Sequence, residues 1–579
     1  MKRRGAAVAV LATGFAAAAV IAPQATAAGC GTTLNVTTAS ALSDAAGNPC
    51  VKNIVVKGSI VDASTIELGP GQTLSGSTAS SSVAFLPGVD GVEISRDNSI
   101  RNLRLTADKT QRAVFNDTQL TTMGAVGIAA VHTIGQVQLL AKDNLKAGNV
   151  TVNGLDVEAA DTSPRYGLVG VFFGSPLEAM QGAFTLWNSQ SDPSAVLTAD
   201  LHGISVGRPG APVTGSGVFL AGGFPLQVDS SNVASFGDIL HQQSINPTHG
   251  SVKVNSLTTG SVYTQGSSVF VRNGAVAGSI AVFDGPSAPI ATSLDVQGSV
   301  STAGLTNGAI NVYSDLKALN VSGDITSTGP NGFGVVTWPH IGSINVAGKL
   351  ETFGLGARGF NAYAGQVNSA SFGQIVTHGD GAVAVDVFRP LGKLVVKNGI
   401  QTTGGSGLSL VLGQLKQLQA SAIGAAELVG SIGQIVSGGP ISTAHDGITT
   451  VHVGAANSIG SLCARQGVES AAAGTPFDVL GQLTLTCDAA LSTPFSGFSA
   501  SNCVSTSTFT YNLAGLTSSQ ILFAKFYVNG KAVQVATALT ANNVVLKGLP
   551  AGAFTLKIVA TTTSGQSVVS ERSYYGCSA

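Results

Sequence analysis

A seven-residue phrase that begins and ends in glycine, GKLETFG from Gly348 to Gly354, returns along the chain at an almost fixed step. It reads GSVSTAG from Gly298, GDITSTG from Gly323 and GQIVTHG from Gly373, and a variant, GIQTTG, keeps the interval at Ile400 and Gly404. Aligned on that step, one position holds Val300, Ile325, Leu350, Ile375 and Ile400, and two places later stand Thr302, Ser327, Thr352, Thr377 and Thr402. Side chains two apart share one face of a strand, so this alternation predicts strands. A second strand repeats as Ile310, Val335, Phe360, Val385 and Leu410. A third runs through Leu294 and Val296, Leu319 and Val321, Ile344 and Val346, then Leu394 and Val396 after a polar interruption at Ser369 and Ser371. Three short strands per repeat cannot pair as hairpins and keep this register. They can wind as one coil of a parallel β-helix with about 25 residues per coil, each coil about 4.8 Å above the last. The glycines then mark places where only glycine is comfortable.

A chain of 579 residues is too long for one ordinary core, but a solenoid grows without that limit. Charged residues make up 10% of it, against about 25% in globular domains. With a net charge of -1 and no basic patch, no nucleic-acid partner is expected. The start combines Lys2, Arg3 and Arg4, an apolar run to Ile21 and the small-residue site Ala25-Thr26-Ala27. That is the form of a secretory signal peptide spanning 1–27, and it predicts a secreted protein, extracellular or periplasmic. No later segment is apolar for long enough to span a membrane. Export favours disulfides, and the six cysteines fall into neighbours: Cys30 with Cys50, Cys463 with Cys487, Cys503 with Cys577. The separation of the middle pair is close to one coil. No cysteine or histidine spacing predicts a metal, and no cofactor is expected.

Before the regular ladder the same texture continues less evenly. NSIRNLRL (Asn98 to Leu105) and NVTVNGLDV (Asn149 to Val157) resemble coils of the pectin-lyase-like, right-handed β-helix superfamily. The resemblance implies an all-β fold with a right-handed parallel β-helix over 51–498 and an N-terminal cap over 28–50. From Ser501 the step is lost, and STFTYNL, ILFAKFYVNGKAV, NVVLKGL and AFTLKIVATT read as alternating strands, with a hairpin turn at VNGK, Val528 to Lys531. Residues 501–579, closed by Cys503 and Cys577, resemble an immunoglobulin-like β-sandwich of the kind appended to bacterial secreted proteins.

Many members of that superfamily cleave polysaccharides. HGISVG, His202 to Gly207, resembles the histidine-glycine motif of polygalacturonase-type hydrolases, and VEAADTSP, Val157 to Pro164, resembles an earlier coil of that family. Yet Arg165-Tyr166-Gly167 stands where the Asn-Thr-Asp element belongs, and no Asp-Asp pair lies between Arg165 and His202. Hydrolysis needs paired carboxylates, so no catalytic residue is assigned. Asp156, Glu158 and Asp161 are a local acidic group in which only the first two share a face; with no rung mates in the sequence, they read as solvated loop charges. His378 beside Asp380, and His445 beside Asp446, read as turns. Lys349 one coil above Asp324 reads as a surface ion pair.

Tyr313, Trp338, Tyr363 and Phe388 also keep the constant step. Three places beyond the inward Ile310 column they should face outward, beside Asn311, Asn361 and Asp386. An outward ladder of rings flanked by amides and a carboxylate would suit a sugar chain, ring face to pyranose face; the alternatives are a core stack or a stripe hidden under a loop. The expected function is accordingly a secreted, non-catalytic protein that binds a polysaccharide or cell-surface glycan through Tyr313, Trp338, Tyr363, Phe388, Asn361 and Asp386. A polysaccharide lyase or glycoside hydrolase with an unrecognised site is the first alternative, and a purely structural surface protein the second.

Overall fold

A computed structural model describes residues 30–577 except 166–167, 173–174, 180, 223–249, 274–290, 306, 338–339, 364, 406–407, 413–429, 472–473, 475, 486–503, 513–520, 538–542 and 563–566. Trp338, Cys487, Cys503 and the expected signal peptide 1–27 lie outside the described residues. From Thr32 to Leu485 the strands belong almost entirely to two long parallel sheets, an arrangement consistent with a β-helix.

The ladder pairs as its spacing requires. Val300 lies opposite Ile325, Ile325 opposite Leu350, Leu350 opposite Ile375 and Ile375 opposite Ile400. All five are buried in one continuous core. Thr302, Ser327, Thr352, Thr377 and Thr402 point the same way and are buried too; between the last two, Thr377 Oγ1 donates to Thr402 Oγ1 at 3.1 Å. The Ile310, Val335, Phe360, Val385 and Leu410 column pairs in register in the second sheet.

The repeat glycines prove to be needed for approach, not for a left-handed backbone. Gly354 has no positive φ, but a Cβ built on it would meet the carbonyl oxygen of Gly329 at 1.8 Å. Gly379 stands in the same relation to Gly354, again at 1.8 Å. Successive coils touch backbone to backbone at this corner, which leaves no volume for a side chain.

The apparent interruption at Ser369 and Ser371 is a register slip. Ile344 pairs with Ala370 and Val346 with Phe372, each one place later than the repeat requires, and a bulge before Lys349 restores the regular step. Phe372 is therefore inward and fully buried, 5.3 Å from the Phe360 ring. One extra residue turns the strand over, because side chains alternate faces.

The N-terminal segment includes one α-helix, Ala39–Gly47, capped by Thr38, whose hydroxyl accepts from Ala41 N at 3.2 Å. It buries Leu42, Ala45 and Ala46 in the end of the core, and the Cys30–Cys50 disulfide closes the segment. Cys463 and Cys577 are also disulfide-bonded. The C-terminal region has its own hydrophobic cluster, including Phe526, Leu546, Phe554 and Tyr574. A four-stranded antiparallel sheet and a two-stranded one surround it. Asn529 and Gly530, with φ of 49° and 77°, make the hairpin turn between Ile521–Val528 and Lys531–Thr537. Among the described residues no helix is long and apolar enough to cross a membrane.

Candidate functional site

Four consecutive coils of the less regular region carry a left-handed residue at the same rung: Asn102, Ala130, Gly154 and Gly203, with φ between 50° and 77°. Each interrupts the alternation of its strand. In Ser99–Thr106, Ile100 faces the core, two exposed residues follow, and Leu103 and Leu105 face the core again. The strand bends there, and the residue between the new inward pair faces out. Arg104, His132, Asp156 and Ser205 thus form one outward column, paired rung to rung, at steps of about 4.8 Å.

This column overlooks a groove of about 510 Å³ lined by His132, Asp156, Ser205, Arg208 and Tyr263, with the glycines of the bend as its floor. Asp156 receives both terminal nitrogens of Arg208, at 2.8 and 2.6 Å, and its Oδ2 lies 3.1 Å from His132 Nδ1. Two places on, Glu158 receives a fork from Arg104, with Nη1 to Oε1 at 2.7 Å. Glu158 also lies 3.5 Å from Arg208 and 3.8 Å from His132. Hydrogen bonding to the carboxylates pushes both guanidiniums above their ordinary pKa, so they stay charged. Arg208 reaches the column because Gly207, at φ 66°, turns the chain where a Cβ would strike the Tyr263 carbonyl at 2.4 Å. Paired backbone hydrogen bonds between Arg208 and Ala211 then tie off the loop.

Asp156 and Glu158 are therefore not solvated loop charges: both sit on a strand, Asp156 with rung mates in His132 and Ser205 and Glu158 at a bulge, and both are held by guanidiniums. His132, Asp156 and Glu158 bring ligand-type atoms within 4.8 Å of one another, but both carboxylates are already paired with guanidiniums. Asp161 stays in a turn, accepting from Ser163 N at 3.0 Å. His202 is exposed and pairs with Asn153, on the other side of the Gly203 bend from Ser205.

The aromatic stripe takes the predicted direction but not the predicted exposure. Tyr363 and Phe388 fall outside the core cluster, as outward residues should, yet each is 2% exposed. They meet edge to face at 5.5 Å. Tyr313 is half-buried, 5.3 Å from Phe270. Asn361 and Asp386 are buried as well; Asp386 accepts from Arg358 Nε at 3.0 Å. An open ladder of rings for a sugar chain is therefore absent at Tyr363 and Phe388. At these positions the outward side chains are buried, so the stripe is not presented to solvent there.

Two further readings are corrected. Lys349 pairs through Nζ with Glu351 at 3.0 Å, while Asp324 accepts from its backbone N–H. His378 stands beside a turn but also links coils: Nε2 lies 2.8 Å from Glu351 and Nδ1 2.9 Å from Thr403. No family model matches this chain, and no curated protein or solved structure matches it significantly.

Proposed function

We propose that the protein is a secreted, non-catalytic glycan-binding β-helix of the right-handed, pectin-lyase-like kind, with the C-terminal region as an immunoglobulin-like spacer or docking module. The observation that carries this reading is the outward column Arg104, His132, Asp156 and Ser205, the last three of which line the groove. It offers charged and neutral donors and acceptors one coil apart, parallel to the direction in which an extended polysaccharide would lie. The ion pairs fix these side chains before any ligand arrives, which lowers the entropy lost on binding. Tyr263 adds a ring at the edge.

The same pairs argue against hydrolysis. A glycosidase needs one carboxyl free to protonate the leaving oxygen and another free to meet water or the sugar carbon. Here guanidiniums hold both Asp156 and Glu158. A lyase or hydrolase is the second reading, favoured by one contact: His132, half-exposed, sits against Asp156 at the groove. Screening the mature protein on a polysaccharide panel for retention and for new sugar ends separates the two. Retention without release is expected, and Arg208→Ala should weaken it about tenfold, the scale of one charge-assisted contact. Release of sugar ends by the wild type would overturn the non-catalytic reading, and failure to retain any polysaccharide would move the structural reading ahead.

A further inference from the structure

We infer a second saccharide site at the Phe353 turn, a ledge that stacks an uncharged pyranose ring and uses no residue of the groove. The penultimate residues of the repeated phrase, Ala303, Thr328, Phe353, His378 and Thr403, form one column. Their backbone N–H groups donate to the coil before at 2.8 to 3.1 Å. Phe353 and His378 stack, with ring centres 4.6 Å apart and planes 16° from parallel. The centre spacing is about one coil rise, so the rings lie across the solenoid axis. One face of Phe353 is covered by the imidazole. The other looks down the axis over Thr328 and Ala303, both exposed and too small to cover it. Leu305, Pro330 and Leu355, all exposed, stand two places beyond Ala303, Thr328 and Phe353 in their coils.

Among the described residues Phe353 is the only exposed aromatic side chain, at 46%. Its support is rigid, because both imidazole nitrogens of His378 are engaged, by Glu351 and Thr403. A flat, fixed ring with one open face suits the C–H face of a sugar, and the hydroxyls at the sugar's edge need polar partners. Glu351 and Lys349 stand beside the ring on the same strand, and their charges cancel. That balance favours an uncharged sugar over an acidic one. The ligand class is shared with the groove reading, but the residues and the observation are separate.

The test compares wild type, Phe353→Ala, Phe353→Trp, Thr328→Phe and Arg208→Ala by calorimetric titration with soluble neutral and acidic oligosaccharides. Phe353→Ala should lose about tenfold in affinity for neutral oligosaccharides, with an unchanged melting temperature because the ring is half in water. Phe353→Trp should keep binding. Thr328→Phe fills the ledge without removing the ring and should lose as much as the alanine variant, which decides the matter if Phe353→Ala folds poorly. Wild-type affinity in Phe353→Ala and Thr328→Phe, alongside a loss in Arg208→Ala, would overturn the ledge and leave the groove standing. A preference of the ledge for acidic sugars would overturn its assigned class. Absence of saccharide binding in the wild type would overturn both sites.

Discussion

The regular ladder and the uneven coils before it are built from the same strands, yet they place side chains together by opposite rules. In the column from Val300 to Ile400 every rung follows the last by one constant step, so like stands on like: Val, Ile and Leu in the core, Thr and Ser beside them. In the earlier coils the steps from Arg104 to His132, from His132 to Asp156 and from Asp156 to Ser205 all differ, and the last is about double the one before it. Unequal coils bring unlike residues into one column, and that is where opposite charges meet. Strict repetition optimises packing, because any residue good for one rung is good for all. Chemistry needs complementary groups, and here they come from coils whose lengths differ.

The largest effect expected from breaking this contrast is at the repeat glycine. Gly354→Val should cost at least about 3 kcal/mol or prevent folding, since its Cβ meets backbone that cannot move aside. Gly381→Ala, one coil further on, should cost only about 1 kcal/mol, because there the sole penalty is a φ of 66° with nothing within 4 Å. Chemical denaturation of both variants measures the difference, and equal costs would remove the close-approach account.

A second, intermediate effect concerns a buried outward side chain of the ladder. Burial pushes the Asp386 carboxyl up to about 6, against the opposing pull of Arg358. A raised folded pKa means that the folded state holds the proton more tightly than the unfolded one. Its stabilising contribution is complete below the ordinary aspartate value of 3.8 and is lost as pH rises through about 6. The denaturation midpoint should decline across that window, and Asp386→Asn should flatten the slope whatever its absolute stability. A wild-type profile that rises over the same window would show that Arg358 outweighs burial.

The smallest stability change is predicted for the charge cluster. Arg104→Ala should cost about 1 kcal/mol or less, because its pair with Glu158 is partly open to water, and added salt should shrink the cost further. A larger, salt-insensitive loss would mean that the column is a structural brace, sharpening the contrast in the other direction.

The ladder was legible because its evidence is local and repeated. Each apolar residue appears at the same offset, and parallel pairing of equal coils can satisfy that pattern. The slip at Ala370 and Phe372 was not legible, since two serines at the expected offset mimic a polar rung. The stripe of Tyr313, Tyr363 and Phe388 was legible in direction, which strand alternation sets. Its burial was not, because alternation says nothing about what lies over an outer face. The charged column escaped notice for a different reason: with three unequal steps, no fixed interval links Arg104, His132, Asp156 and Ser205. The stretch from Asn149 to Val157 gave no hint that a left-handed residue at Gly154 would turn Asp156 outward.

By itself, then, the amino-acid sequence determined the all-β character, the constant coil length of the ladder and the residues that fill its core, because these follow from which side chains avoid water at a fixed period. The tertiary structure alone decided which outward residues remain in solvent and which charges meet. Exposure and ion pairing depend on distances between coils of unequal length, and those distances exist only once the chain has been wound.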